Sequence, residues 1–165
     1  MDRDILEQLY VRNYNSALLY TLSLCHSRET AEDIVSEAFV KAYLSLSDEH
    51  TSFQYWLLRV CKNLWIDLLR RRKRISDDPH ALHHIADGTT PEKNLLREEG
   101  NAILYECIQR LPDSDQELLV LHYFSNLQLK EIARMLGATP GSIKTRMFRA
   151  RKNLKQIIEE SGYDI

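Results

Sequence analysis

Apolar residues recur along most of this chain at spacings of three and four, and the places where that rhythm fails divide it into segments. Residues 4–24 carry Ile5, Leu6, Leu9, Tyr10, Tyr14, Ala17, Leu18, Thr21 and Leu22 with no Pro or Gly, the repeat of one helix face. His26 and Ser27 interrupt it. Ser27 is a suitable N-cap for a second helix, whose early Glu29, Glu32 and Asp33 suit the positive end of a helix dipole. Over 28–46 the inward stripe is Ala31, Ile34, Val35, Ala38, Phe39, Ala42 and Leu46, while Glu32, Asp33, Ser36, Glu37, Val40 and Lys41 face elsewhere. A polar loop at 47–52 precedes a third helix predicted over 53–74. Trp56, Leu57, Val60, Leu64 and Leu68 form its packed face, with Trp56 expected in the core. Lys62, Asn63, Trp65, Ile66 and Arg70 occupy its other sides, and the pattern leaves open whether Trp65 is core.

Residues 75–90 (ISDDPHALHHIADGTT) lose the helical period at both ends and contain Pro79, Gly88, three Asp and three His, which reads as an acidic, flexible linker. Thr90 and Pro91 then form an N-cap and first-turn pair for a helix reaching Leu111, with Leu95, Leu96, Ile103, Leu104, Cys107 and Ile108 on its core side. Pro112 ends it, Asp113 or Ser114 caps the next, and Leu118, Leu119, Leu121, His122 and Phe124 are expected to be largely buried.

The last two patterns lie close together. Leu129, Ile132, Ala133 and Leu136 share one helix face that stops at Gly137. Thr139, an N-cap, and Pro140, in the first turn, then start a helix with Ile143, Met147, Ala150 and Leu154 on one side. This is a helix-turn-helix pattern. No strand signal appears, so the fold class expected is all-α, with two small helical domains joined by a flexible linker and the helix-turn-helix in the second. The boundaries are 1–74, 75–90 and 91–165.

Charge changes the picture. The chain has 165 residues and a net charge of −2. Residues 59–74 hold Arg59, Lys62, Arg70, Arg71, Arg72, Lys73 and Arg74 against Asp67 alone, and 139–155 hold Lys144, Arg146, Arg149, Arg151, Lys152 and Lys155 with no acid. With +6 in each patch, the remaining residues carry −14. Two compact basic patches in an acidic chain fit two separate anionic contacts. A helix apolar on one side and cationic on the rest suits the DNA major groove, where residues near its start reach base edges and later cations neutralise phosphates. The competing reading is an amphipathic helix with a solvated basic face; turn, caps and charge together favour DNA. In 53–74, aromatic and amide groups interleave with cations, a surface able to stack on unpaired bases.

Other chemistry is thin. Cys25, Cys61 and Cys107 fit no zinc spacing and lie in apolar helical contexts, as buried reduced thiols. His80, His83 and His84 lack a preorganised fourth ligand and read as solvated linker residues, so no metal or cofactor is expected. No signal pattern or membrane-length apolar run occurs, and the expected setting is the cytoplasm without membrane insertion. No nucleophile or phosphate-loop motif supports an enzyme.

With these segments in place, the chain resembles the extracytoplasmic-function sigma factors, the smallest bacterial sigma factors, from about Leu6 to Ile158. Ala31 to Val35 with Glu37, Ala38 and Phe39 is similar to the family's polymerase-clamp-binding helix. Phe53, Trp56, Leu57, Val60, Asn63, Asp67, Arg70 and Arg71 resemble its promoter-melting helix. Leu111, Pro112, the 118–123 run, Glu131, Ile132, Ala133, Leu136 and 144–151 resemble its promoter-reading domain. The three in this order are specific in combination.

The resemblance implies a subunit with no chemistry of its own, which binds core RNA polymerase and selects promoter DNA. The polymerase-binding residues would be Glu32, Asp33, Ser36, Glu37 and Val40, with Ser36 where the family usually has Gln. The −10 element would fall to Asn63, Trp65, Ile66, Asp67, Arg70 and Arg71 with the 47–52 loop, Asp67 either orienting an arginine or touching DNA. The −35 element would fall to Ser142, Lys144, Thr145, Arg146, Phe148, Arg149 and Arg151. Among these, Lys144, Thr145 and Phe148 would read bases and the others would contact phosphates. An anti-sigma factor is the expected regulator. The alternative is an autonomous helix-turn-helix regulator that binds a palindromic duplex unaided.

Overall fold

The computed structural model describes residues 3–45, 52–75 and 99–162, and the chain divides into two compact units, Met1–Thr90 and Pro91–Ile165. The described residues are helical, with no strand among them. In the first unit α1 is Arg3–Cys25, α2 is Arg28–Ser45 and α3 is Phe53–Ile75. In the second, α4 is Glu99–Ile108, α5 is Asp113–Phe124, α6 is Leu129–Met135 and α7 is Pro140–Glu160. Most of the proposed linker, 76–90, and the proposed helix start at Thr90 and Pro91 lie outside the described residues, as do Leu95, Leu96 and Leu46.

The first unit is a three-helix bundle built around the second half of α1. Ala17 to Ser23 are buried without a break, enclosed by α2 on one side and α3 on the other. The early turns of α1 are covered less: Ile5 is 48% and Tyr10 is 44% exposed. The inward stripe of α2 is as expected, with Ala31, Ile34, Val35, Ala38, Phe39 and Ala42 all buried. Aromatic rings join the three helices, Tyr10 to Phe39 at 4.7 Å, Phe39 to Phe53 at 6.1 Å and Phe53 to Trp56 at 6.0 Å. Trp56 ends this run and is half-buried, which corrects its placement in the core; Phe53, Leu57, Leu58, Cys61 and Leu64 fill that role. The turn between α1 and α2 is short. His26 adopts φ 56, the left-handed conformation that ends many helices, and the Ser27 hydroxyl accepts from the Thr30 amide at 3.3 Å.

Among the described residues of the second unit, four helices pack through short connections. α4 ends at Ile108, ahead of Pro112, and the buried Gln116 amide donates to the carbonyls of Gln109 at 2.9 Å and Leu111 at 2.7 Å. A side chain from α5 thus satisfies backbone acceptors that α4 leaves open. The N-cap of α5 is Pro112, with no side-chain cap bond, so neither Asp113 nor Ser114 fills that position. Leu118, Leu119 and Leu121 are buried as expected, but His122 is exposed and Phe124 is half-buried, because α5 turns its last residues outward.

Candidate functional site

The helix-turn-helix is held by caps at each end of its turn. Gln128 and Glu131 form a reciprocal capping box at the start of α6, the Gln128 amide donating to Glu131 Oε1 at 2.9 Å. At the other end Gly137 takes φ 64. The Ala138 amide donates to Ala133 at 2.9 Å and the Gly137 amide to Arg134 at 3.3 Å, a Schellman pair. Thr139 Oγ1 then accepts from the Ser142 amide at 3.2 Å, and Pro140 opens α7. Ile143, Met147, Ala150 and Leu154 are buried, so the orientation of α7 is set by the side that carries no charge.

That orientation sorts the cationic residues. At 3.6 residues per turn, Lys144, Phe148, Arg151 and Lys155 line one flank, Thr145 and Lys152 point directly away from the core, and Ser142 and Arg149 take the other flank. All of these are exposed, Phe148 by 72%. An apolar side chain left that open on a charged helix is unusual unless something covers it. Arg146 is half-buried beside the packed face, apart from the others. Thr145 Oγ1 donates to the Gly141 carbonyl at 3.3 Å, which leaves its lone pairs for a partner.

The Lys144 flank borders a groove of about 1230 Å³ with Leu104, Leu129, Met147, Leu154 and Ile158 among its lining residues and Lys144, Arg151, Lys152 and Lys155 among its cations. His122 is part of this lining and stacks edge-on against Tyr123, ring centres 4.7 Å apart. Partial burial, and then the Arg151 charge, push its pKa below the ordinary 6.5.

In the first unit the acidic face of α2 divides. Glu32 is half-buried and ion-paired to Arg28 at 2.8 Å, whereas Asp33, Ser36, Glu37 and Val40 are exposed. Asp33, Glu37, Val40 and Leu44 fall in one line, acidic in its first half and apolar in its second, with Val40 57% and Leu44 79% exposed. Leu44 extends this line beyond the residues the resemblance implies. Its spacing from Val40 and Glu37 was the available signal.

The residues grouped on α3 also divide. Asn63, Asp67, Arg70 and Arg71 are exposed, with Arg70 4.0 Å from Asp67, so that this carboxylate stands beside an arginine. Ile66 is half-buried at the edge of this face. Trp65 lies two residues from Asn63, hence on roughly the opposite side of the helix. It is half-buried, and Arg72 stands 5.9 Å from its ring centre. Trp65 is therefore across the helix from Asn63, Asp67 and Arg70, with Ile66 and Arg71 between. The 47–52 loop, apart from Ser52, lies outside the described residues.

Among the described residues no group of three or more His, Cys, Asp and Glu is placed to hold a metal ion, and no helix is long and apolar enough to cross a membrane. His80, His83 and His84 lie outside them.

Two helical units, one with a mixed acidic and apolar face beside a cationic helix and one with a cationic helix-turn-helix, are the parts of a polymerase specificity subunit. Residues 9–75 match the family model for Sigma-70 region 2, and residues 101–154 match that for Sigma-70 region 4. The RNA polymerase sigma factor YlaC of Bacillus subtilis is 31% identical over 96% of this chain and 95% of its own length. The ECF RNA polymerase sigma factor SigW of the same organism is 32% identical over 79% and 76%. The chain belongs to the extracytoplasmic-function family of RNA polymerase sigma factors. Its fold is similar to the sigma factor RpoE solved with the anti-sigma factor NepR from Bartonella quintana, with a TM-score of 0.68 at 20% identity over 96% of this chain and 98% of that one. It is also similar to CnrH solved with the cytosolic domain of CnrY, with a TM-score of 0.62 at 22% identity over 96% and 90%.

Proposed function

We propose that this chain binds core RNA polymerase and directs it to promoters through two DNA contacts, with no chemistry of its own, in the cytoplasm where polymerase works. The observation that carries the reading is α7, whose apolar side is wholly used in packing while its remaining surface is cationic from Lys144 to Lys155. In this reading Lys144, Thr145 and Phe148 read the −35 element and Ser142, Arg149 and Arg151 hold its phosphates, with Arg146 at the margin. Asn63, Asp67, Arg70 and Arg71, with Ile66 at the edge of their face and Trp65 further round the helix, contact the −10 element. Asp33, Ser36, Glu37 and Val40 meet polymerase, with Glu32 shaping that face through Arg28. The domain limits 1–74 and 91–165, with 75–90 as linker, belong to the same proposal.

Two of the similar structures are complexes with a second protein, named in one case as an anti-sigma factor. Control of this chain by an anti-sigma factor follows the same logic, and the apolar groove beside Phe148 is a surface such a partner can cover.

In vitro transcription with core polymerase on a promoter library tests the proposal. Initiation that depends on the added chain is the expected result; no dependent initiation together with no binding to core would overturn it. Lys144→Ala should then change which upstream sequences are preferred, while Arg151→Ala should weaken all promoters about equally.

A further inference from the structure

The arginines of α3 differ in what holds them. Arg70 stands by the Asp67 carboxylate and Arg72 by the Trp65 ring. Arg59, exposed, is held by a neutral group: its Nη1 donates to the Tyr55 hydroxyl at 2.7 Å, and the guanidinium carbon is 6.0 Å from that ring's centre. Those two distances together put the guanidinium at the hydroxyl tip of the ring and not over its face. A carboxylate in that position would fix the side chain and cancel its charge, whereas a phenol fixes it and leaves the charge intact.

Arg59 also shares a line with exposed residues further along α3. Asn63, Asp67, Arg70 and Arg74 follow it at helical spacing, a stripe of about 22 Å at 1.5 Å per residue. Within that stripe Arg59 stands at the N-terminal end, one turn before Asn63.

We propose that Arg59 binds a backbone phosphate of the nucleic-acid strand lying along this face, and that Tyr55 is the positioning residue that aims it. The inference rests on the reading of α3 as the promoter-strand helix and adds two residues to it. The guanidinium keeps N–H donors beyond the one used by Tyr55, and their planar fork matches phosphate oxygens. Holding the side chain in advance reduces the freedom lost when the phosphate arrives.

The test is fluorescence anisotropy of a labelled single-stranded DNA of degenerate sequence, titrated with the full chain at several salt concentrations. A single-strand phosphate contact contributes about 0.7 to the slope of log affinity against log salt. Arg59→Ala should weaken binding about fivefold to tenfold and flatten that slope by about 0.7. Tyr55→Phe, which keeps ring and charge, should weaken binding about twofold to threefold with the slope unchanged. Arg59→Lys should keep the slope. Arg12→Ala, a change to an exposed cation on α1, should alter neither quantity. An unchanged slope in Arg59→Ala, an equal loss of slope in Arg12→Ala, or no salt-dependent binding by the unsubstituted chain would overturn the proposal. Core binding and initiation are measured separately, so failure here with intact initiation removes only the phosphate role. Failure of both removes the promoter reading as well.

Discussion

Cys61 is fully enclosed on the inner side of α3, and burial lifts its thiol from an ordinary 9.0 to about 12. The folded state therefore holds this proton where the unfolded chain has released it. Stability from this group is complete below pH 9 and declines as pH rises from 9 toward 12. Alkylation by iodoacetamide at mildly alkaline pH should be limited by unfolding, and denaturant midpoints should fall between pH 9 and 10 more in the native chain than in Cys61→Ala. Rapid modification of Cys61 in the folded protein would contradict this account. The buried, reduced state of Cys25, Cys61 and Cys107 was readable from their apolar helical neighbours. The groove beside the exposed Phe148 was not, because its far walls, Leu104, Tyr123 and Leu129, come from other helices.

At the level of elements, the turn between α6 and α7 concentrates local signals that agree with one another. Thr139, Pro140 and Gly137 were legible because each residue type has a physical reason for its place: a hydroxyl acceptor, a preset φ, and tolerance of φ 64. Thr139→Ala should cost about 1 kcal/mol of stability, measured by chemical denaturation, and Thr139→Ser much less. A loss in Thr139→Ser equal to that in Thr139→Ala would argue that the hydroxyl cap is not the source. Other devices escaped the pattern. The Gln128 cap uses a residue type rarely chosen for that position, and the Gln116 bonds to Gln109 and Leu111 connect one helix to the end of another, which no helical period encodes. Trp65 is the clearest case on α3, since its side of the helix follows from spacing while its cover depends on neighbouring elements.

For the whole molecule, the charge distribution sets the expected behaviour. Two patches of +6 in a chain of net charge −2 favour two separate anionic contacts over a general attraction to polyanions. The free chain should bind promoter duplex weakly, and core polymerase should raise that affinity by about 10²-fold or more by fixing the spacing of the two contacts. Equal affinity with and without core, in electrophoretic or anisotropy titrations at one salt concentration, would instead favour an autonomous regulator.

The order of helices, the helix-turn-helix with its buried stripe from Ile143 to Leu154, and the segregation of charge were determined by the sequence itself. All depend on residues within a few turns of each other, where the 3.6-residue period and capping chemistry are sufficient. Tertiary packing decided which half of α1 is enclosed, that Trp56 marks the rim of the core and that the Trp65 ring is half-buried. It also decided that Phe148 borders a groove built from four helices. Those outcomes depend on what lies across from a residue, and residues far apart in the chain supply that cover.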